Sequence, residues 1–170
     1  MSLAPSPSQP DARPADADAT AAHPDWGWPV LRLGFRPFYL GAAAFALISI
    51  PLWLLMWSGM TAMQPTLAPL LWHAHEILYG FAIAVIVGFL LTAVRAWTGL
   101  DTPRGPFLGA LALLWLAARI AALSGPYVIY AVLDVALLPV VAVVLLRVLL
   151  RAKNTRNLPL AGILVLLALV

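Results

Sequence analysis

The sequence contains no cysteine, and only 10% of its 170 residues are charged. The absence of cysteine excludes disulfides, thiolate metal ligands and iron–sulfur clusters within this chain. The scarcity of charge excludes an ordinary soluble domain, in which about 25% of residues are charged. Lys and Arg do not cluster with interleaved polar residues, so the sequence does not indicate nucleic-acid binding. A metal held by this chain must therefore use His, carboxylate, Met or backbone oxygen.

Apolar residues, in contrast, make up 63% of the chain. Four long apolar segments, each near the roughly 20 residues that cross the hydrocarbon core of a bilayer, predict transmembrane helices. They are Phe38–Ser58, Leu70–Val94, Gly105–Leu123 and Tyr127–Leu150. The short connections predict antiparallel neighbours, so the expected fold is all-α, a polytopic transmembrane helical bundle. Pro51 is expected to kink the first helix or to leave a carbonyl unpaired.

The two ends of the chain differ from these four spans. Residues 1–30 begin with a stretch rich in Pro, Ala, Ser and Asp that has no apolar period, which predicts a disordered tail. Residues 31–170 form the predicted transmembrane domain. A fifth apolar segment, Leu158–Val170, has only 13 residues and as a helix would reach about 20 Å. We therefore expect a truncated fifth span and a chain that is the N-terminal part of a longer protein.

The basic residues predict the orientation of the bundle. Every even loop is basic, whereas the first loop (residues 59–69) and the third loop carry no Lys or Arg. Because basic loops stay on the cytoplasmic side of a membrane, the N-terminus is predicted to be cytoplasmic. The basic positions before the first helix, in the second loop and around the fourth loop are Arg32, Arg36, Arg95, Arg104, Arg147, Arg151, Lys153 and Arg156.

Five ionisable side chains lie inside the predicted spans, where such groups are costly and are candidates for function. Counted from the helix ends at 1.5 Å per residue, all five fall in the outer half of the bilayer. Because they come from three different helices and share this depth, we expect their side chains to converge there. The five residues are His73, His75, Glu76, Arg119 and Asp134.

The faces of the second helix separate its two histidines. At about 100° per residue, His73 and Glu76 share one face, whereas His75 points to nearly the opposite side. The two histidines therefore cannot bind one metal from an unbroken helix. Small residues recur at every fourth position from Gly80 to Gly88 on the His73 face, which admits another helix or a flat cofactor at close range.

Purely structural roles are open for each of these groups. Arg119 and Asp134 are expected to form an ion pair between the third and fourth helices. Glu76 can be held by Arg119 or by a backbone donor, and Trp72 is expected to be an interfacial anchor. A membrane histidine is more often hydrogen-bonded than bound to a metal. Two histidines and a carboxylate within four residues nevertheless point toward metal or haem ligation.

Three strings in the chain resemble the NnrS family, polytopic membrane proteins of bacteria linked to the nitric oxide response. The strings are Gly34–Tyr39, Trp72–Phe81, which contains Trp-His-Ala-His-Glu, and Gly88–Val94, which is followed by Trp97–Gly99. The resemblance covers about residues 33–170. The family commonly has Pro-Asn before Trp-Thr-Gly, where this chain has Arg-Ala, so a role for that asparagine does not carry over.

The resemblance implies a protein of the bacterial inner membrane that binds haem and copper and acts in the response to nitric oxide and nitrosative stress. It implies His73 and His75 as cofactor and metal ligands, with Glu76 as a neighbouring or proton-handling group. Imidazole suits both haem iron and copper. Two histidines on opposite faces are compatible with two centres. Further family histidines would lie beyond Val170.

Two other functions fit the same residues. In a transporter or channel, Glu76, Arg119 and Asp134 would line a pathway and Pro51 would supply a hinge. In an assembly factor, the histidines would pass haem or copper to other respiratory proteins. The sequence contains no complete catalytic set, so it gives no ground for predicting an enzyme.

Overall fold

A computed structural model of the protein describes residues 28–169, which form helices and connecting turns without a strand. The predicted all-α fold is confirmed, and the predicted helix ends differ from the observed ones by only a few residues. The predicted tail lies almost entirely outside the described residues. The helices are α1 (Phe35–Trp57), α2 (Pro69–Thr98), α3 (Gly105–Ser124), α4 (Tyr127–Arg151) and the shorter α5 (Leu158–Leu167).

The surface of the bundle is that of a membrane protein. Helices α1 to α4 are each long and apolar enough to cross a bilayer. Large apolar side chains point outward on these spans, such as Leu47 (77% exposed) and Leu113 (66% exposed). A water-soluble protein rarely leaves so many apolar side chains exposed along continuous helix faces. The chain is a multi-pass membrane protein with four full spans and a shorter fifth helix.

Contacts between side chains show that α1 and α2 are antiparallel, and the short connections after α2 and α3 reverse the chain direction again. Gly88 of α2 lies beside Phe38 near the start of α1. Gly80, which is earlier in α2, lies beside Phe45, which is later in α1. The bundle therefore has a basic end, where α1, α3 and α5 begin and α2 and α4 end. At the opposite end, which we call the uncharged end, the connections 58–68 and 124–126 carry no ionisable side chain.

Two apolar clusters form the core, and polar side chains lie between them. The larger cluster runs toward the basic end and includes Leu91, Leu108 and Leu145. The smaller cluster lies toward the uncharged end and includes Met56 and Trp72. Along α2, α3 and α4, the five ionisable residues noted inside the predicted spans fall between the residues that belong to these two clusters. Their burial therefore follows from apolar packing on both sides.

The middle of α2 departs from α-helical geometry. Glu76–Ala82 is a π-helical segment between two α-helical parts, Pro69–His75 and Ile83–Thr98. The backbone N–H of Ile83 accordingly binds the carbonyl of Leu78, five residues earlier. π-helical turns are rare and occur frequently at functional sites. The sequence analysis treated this stretch as an unbroken α-helix, so the π segment is a feature that it missed.

The loop at the uncharged end is tied to the turn between α3 and α4. The Thr66 hydroxyl donates to the carbonyls of Ala121 (3.2 Å) and Gly125 (3.1 Å). The Thr66 backbone N–H binds the carbonyl of Ala122 at 3.0 Å. These bonds hold the start of α2, and with it the two histidines, against the end of α3. On the other side, α1 continues through Pro51 to Trp57.

Candidate functional site

Three charged side chains from three helices meet in the layer between the two apolar clusters. The Arg119 guanidinium of α3 donates to Glu76 Oε2 of α2 at 2.9 Å and also binds the Asp134 carboxylate of α4. Glu76 is fully buried and Arg119 is 4% exposed. The planar guanidinium suits this task because it presents several N–H donors in a fixed fork. The expected neighbours Arg119 and Asp134 are thus brought together, and Glu76 joins them.

His75 belongs to the same layer. Its Nε2 lies 3.2 Å from Asp134 Oδ2, and its Nδ1 lies 3.6 Å from Glu76 Oε1. The Tyr130 hydroxyl of α4 lies 2.9 Å from Nδ1 and 3.2 Å from Nε2. The imidazole also stacks on the Tyr79 ring, with the centroids 4.6 Å apart. We refer to His75, Glu76, Arg119, Tyr130 and Asp134 as the polar layer.

His73 lies on the other side of α2, against α1. Its ring stacks on the Trp53 indole, with the centroids 4.0 Å apart and the planes inclined by 15°. Its Nδ1 is buried and has no hydrogen-bond partner among residues 28–169. The two histidines therefore differ in kind, because both ring nitrogens of His75 have polar neighbours within the bundle. Stacking fixes the plane of the His73 ring, and Nδ1 is left without a hydrogen bond to the described residues.

Two cavities border the polar layer. A small one of about 10 Å³ is lined by Arg119 and Asp134 together with apolar residues and Trp115. That volume is close to the space that one water molecule requires. A larger cavity of about 260 Å³ lies on the α4 side, where His75, Tyr79 and Tyr127 contribute to its wall. The polar layer thus has open space beside it on the side away from α1.

The stripe of small residues on α2 is covered by α1. A Cβ atom at Gly80 would lie 2.6 Å from Phe45 Cε1, and one at Gly88 would lie 2.9 Å from the Tyr39 ring. Sequence analysis left open whether a helix or a flat cofactor approaches this stripe, and the structure places a helix there. The Gly80 carbonyl, within the π segment, also accepts a hydrogen bond from Trp115 Nε1 at 2.9 Å.

Two aromatic residues, Trp72 and Tyr130, lie where their sequence positions did not predict. Trp72 was expected to be an interfacial anchor, but it is 1% exposed and packs in the smaller apolar cluster with Met56. This expectation is wrong because Trp72 faces the interior of the bundle from the first turns of α2. Tyr130 was not singled out, although its hydroxyl completes the polar layer. An aromatic residue near a span end more commonly marks the membrane interface. The position of Tyr130 in the sequence therefore did not indicate a role in the polar layer.

A family model described as NnrS protein matches residues 29–170, which includes every helix and the whole polar layer. No curated protein and no solved structure matches the chain.

Proposed function

The chain belongs to the NnrS family, and from this membership and the state of His73 we propose that it binds haem through His73 in the response to nitric oxide. The family match supports a membrane protein of the nitric oxide response in general. Haem binding by this chain, and the choice of ligand, are our proposal. The observation that supports it is the buried Nδ1 of His73, which has no partner in the described part of the chain.

The surroundings of His73 suit a residue that would hold haem iron. A neutral imidazole donates a lone pair, and the Trp53 ring keeps the imidazole plane fixed through close stacking. A fixed ring loses little freedom when it binds iron, which favours binding. Bound haem would supply an iron centre that takes up nitric oxide, an apolar gas that partitions into membranes. The residues described here then hold and orient that group.

His75 remains the second candidate ligand, but it would have to give up existing contacts. Asp134 lies within hydrogen-bonding distance of one ring nitrogen of His75, and the Tyr130 hydroxyl lies within that distance of the other. We therefore propose that His75 and Glu76 shape the electrostatics beside the site. The groups around a metal ligand commonly change its affinity by about 10- to 100-fold.

Copper fits less well than haem within residues 28–169. In that range no three His, Asp or Glu side chains are grouped as a metal site. A copper ion usually takes two or more nitrogen or sulfur ligands. We therefore propose copper binding only on the family resemblance and assign no copper site to these residues.

Optical and electron paramagnetic resonance spectra of the full-length protein test the proposal. We expect a Soret band in the wild type, loss of at least tenfold in bound haem in His73→Ala, and a smaller loss in His75→Ala. Tyr127→Phe, which changes an exposed side chain near the same end, serves as the control. A protein without haem and without copper would contradict the function. Haem retained in His73→Ala but lost in His75→Ala would contradict only the ligand assignment.

A further inference from the structure

A separate cavity opens at the basic end of the bundle, far from the polar layer. It has a volume of about 410 Å³ and lies between the end of α2 and the turn that joins α4 to α5. Trp97 forms the α2 side of its wall. Arg156 and the amides of Asn154 and Asn157 form the other side. None of these four residues takes part in the site proposed above.

The local backbone holds the polar wall of this cavity in place. Lys153, two residues after the end of α4, has a left-handed conformation with φ of 54°. The N–H of Asn154 then binds the Leu149 carbonyl at 2.9 Å, which anchors the turn to the last part of α4. The Asn157 side-chain amide donates to the Asn154 side-chain oxygen at 3.1 Å. The two asparagine side chains are thus held together, and they line the same cavity as Arg156 and Trp97.

The charge at this end is strongly one-sided. Among residues 28–169, the basic end carries eight Lys and Arg residues but a single carboxylate, Asp101. Asp101 is already bound, with its Oδ1 2.7 Å from Arg104 and 3.4 Å from Arg95. Within the described range, no carboxylate is paired with Arg156, and the neighbouring cations of the turn add to the positive potential. A ligand of this cavity is therefore expected to carry negative charge.

We propose that this cavity binds the phosphate-bearing headgroup of an anionic phospholipid from the adjoining leaflet. Its position at the ends of the spans is the level of lipid headgroups, and Trp97, 44% exposed, is of the type that lies at this level. Arg156 and the two asparagine amides supply the donors that phosphate oxygens require. Basic pockets between helices commonly bind such headgroups.

Native mass spectrometry and thermal unfolding of the full-length protein in detergent test this site. The probes are phosphatidylglycerol, phosphatidylcholine and inorganic phosphate, added separately. We expect phosphatidylglycerol to bind at least fivefold more tightly than phosphatidylcholine and to raise the unfolding temperature. Arg156→Ala should weaken phosphatidylglycerol binding by about fivefold, as expected for one cation near a membrane surface.

Arg147→Ala is the matched control, because it removes one charge from the same end of α4 without touching the cavity wall. We expect it to change phosphatidylglycerol binding less than twofold. Equal weakening by Arg147→Ala and Arg156→Ala would overturn the site, since it would indicate only general attraction to anionic lipid. Equal binding of the two phospholipids would also overturn it. Stabilisation by inorganic phosphate as large as that by phosphatidylglycerol would overturn the assignment to lipid.

Discussion

Arg119 binds Glu76 of α2 and Asp134 of α4 at the same time, so one guanidinium joins three spans. Both carboxylates are largely removed from solvent, with side chains 1% and 11% exposed. A buried ion pair adds little net stability when it is complete, but the loss of one partner leaves an uncompensated charge. Arg119 is therefore the residue of the polar layer whose removal should be most damaging.

We expect Arg119→Ala to destabilise the protein by about 3–5 kcal/mol, because two carboxylates are then left in the bundle without their cation. Thermal unfolding in detergent, followed by circular dichroism or by loss of monodisperse protein, measures the change. Arg147→Ala removes an exposed cation from α4 and should leave stability nearly unchanged. An Arg119→Ala protein that unfolds with the wild type would show that the ion pairs do not hold the helices together.

The close approach of α1 to α2 depends on Gly80. In Gly80→Ala, the added methyl group would meet Phe45 Cε1 at 2.6 Å and Glu76 Oε2 at 2.9 Å. Overpacking of this kind costs about 1–3 kcal/mol, which an unfolding curve will detect. Gly162→Ala, in α5 with no atom within 4 Å of the added Cβ, should be neutral or slightly stabilising. Equal stability of the two variants would mean that α1 moves away from Gly80 without loss.

Tyr130→Phe removes only the hydroxyl of the Tyr130 side chain. Its hydrogen bond to His75 should be lost, at about 1 kcal/mol, while the ring keeps its packing. Tyr127→Phe removes a hydroxyl from a residue that is 62% exposed and should change little. The difference between the two midpoints of unfolding isolates the bond to His75. No difference would indicate that His75 is positioned by Tyr79 and Asp134 alone.

The Trp53 indole should control how firmly His73 is held. In Trp53→Leu the stacked partner is lost, and under the proposed function we expect weaker haem retention and a broader haem resonance signal. Trp57→Leu is the control, because Trp57 is 62% exposed and contacts Trp53 rather than His73. Unchanged spectra in Trp53→Leu would show that stacking does not position the imidazole, even if His73 is the ligand.

Most of the fold could be predicted because the bilayer imposes a minimum length on every apolar span. The approach of Arg119 to Asp134 could also be expected, since depth alone placed both at one level. The π segment could not be expected, because the residues from Glu76 to Ala82 have no composition that separates π from α geometry. The burial of Trp72 was missed for a related reason. Aromatic residues near span ends face either the interface or the interior, and only packing decides between them.

The π segment also determines how the two α-helical parts of α2 are oriented relative to each other. A π-helical hydrogen bond spans one residue more than an α-helical one. The segment therefore acts like a one-residue insertion that α2 absorbs without a break. Removing one residue between Glu76 and Ala82 would take out this insertion, so we expect the segment to close with α-helical turns while the parts of α2 on either side keep their faces. His73 would then stay against the Trp53 ring, on the same side of α2 as Gly80 and Gly88.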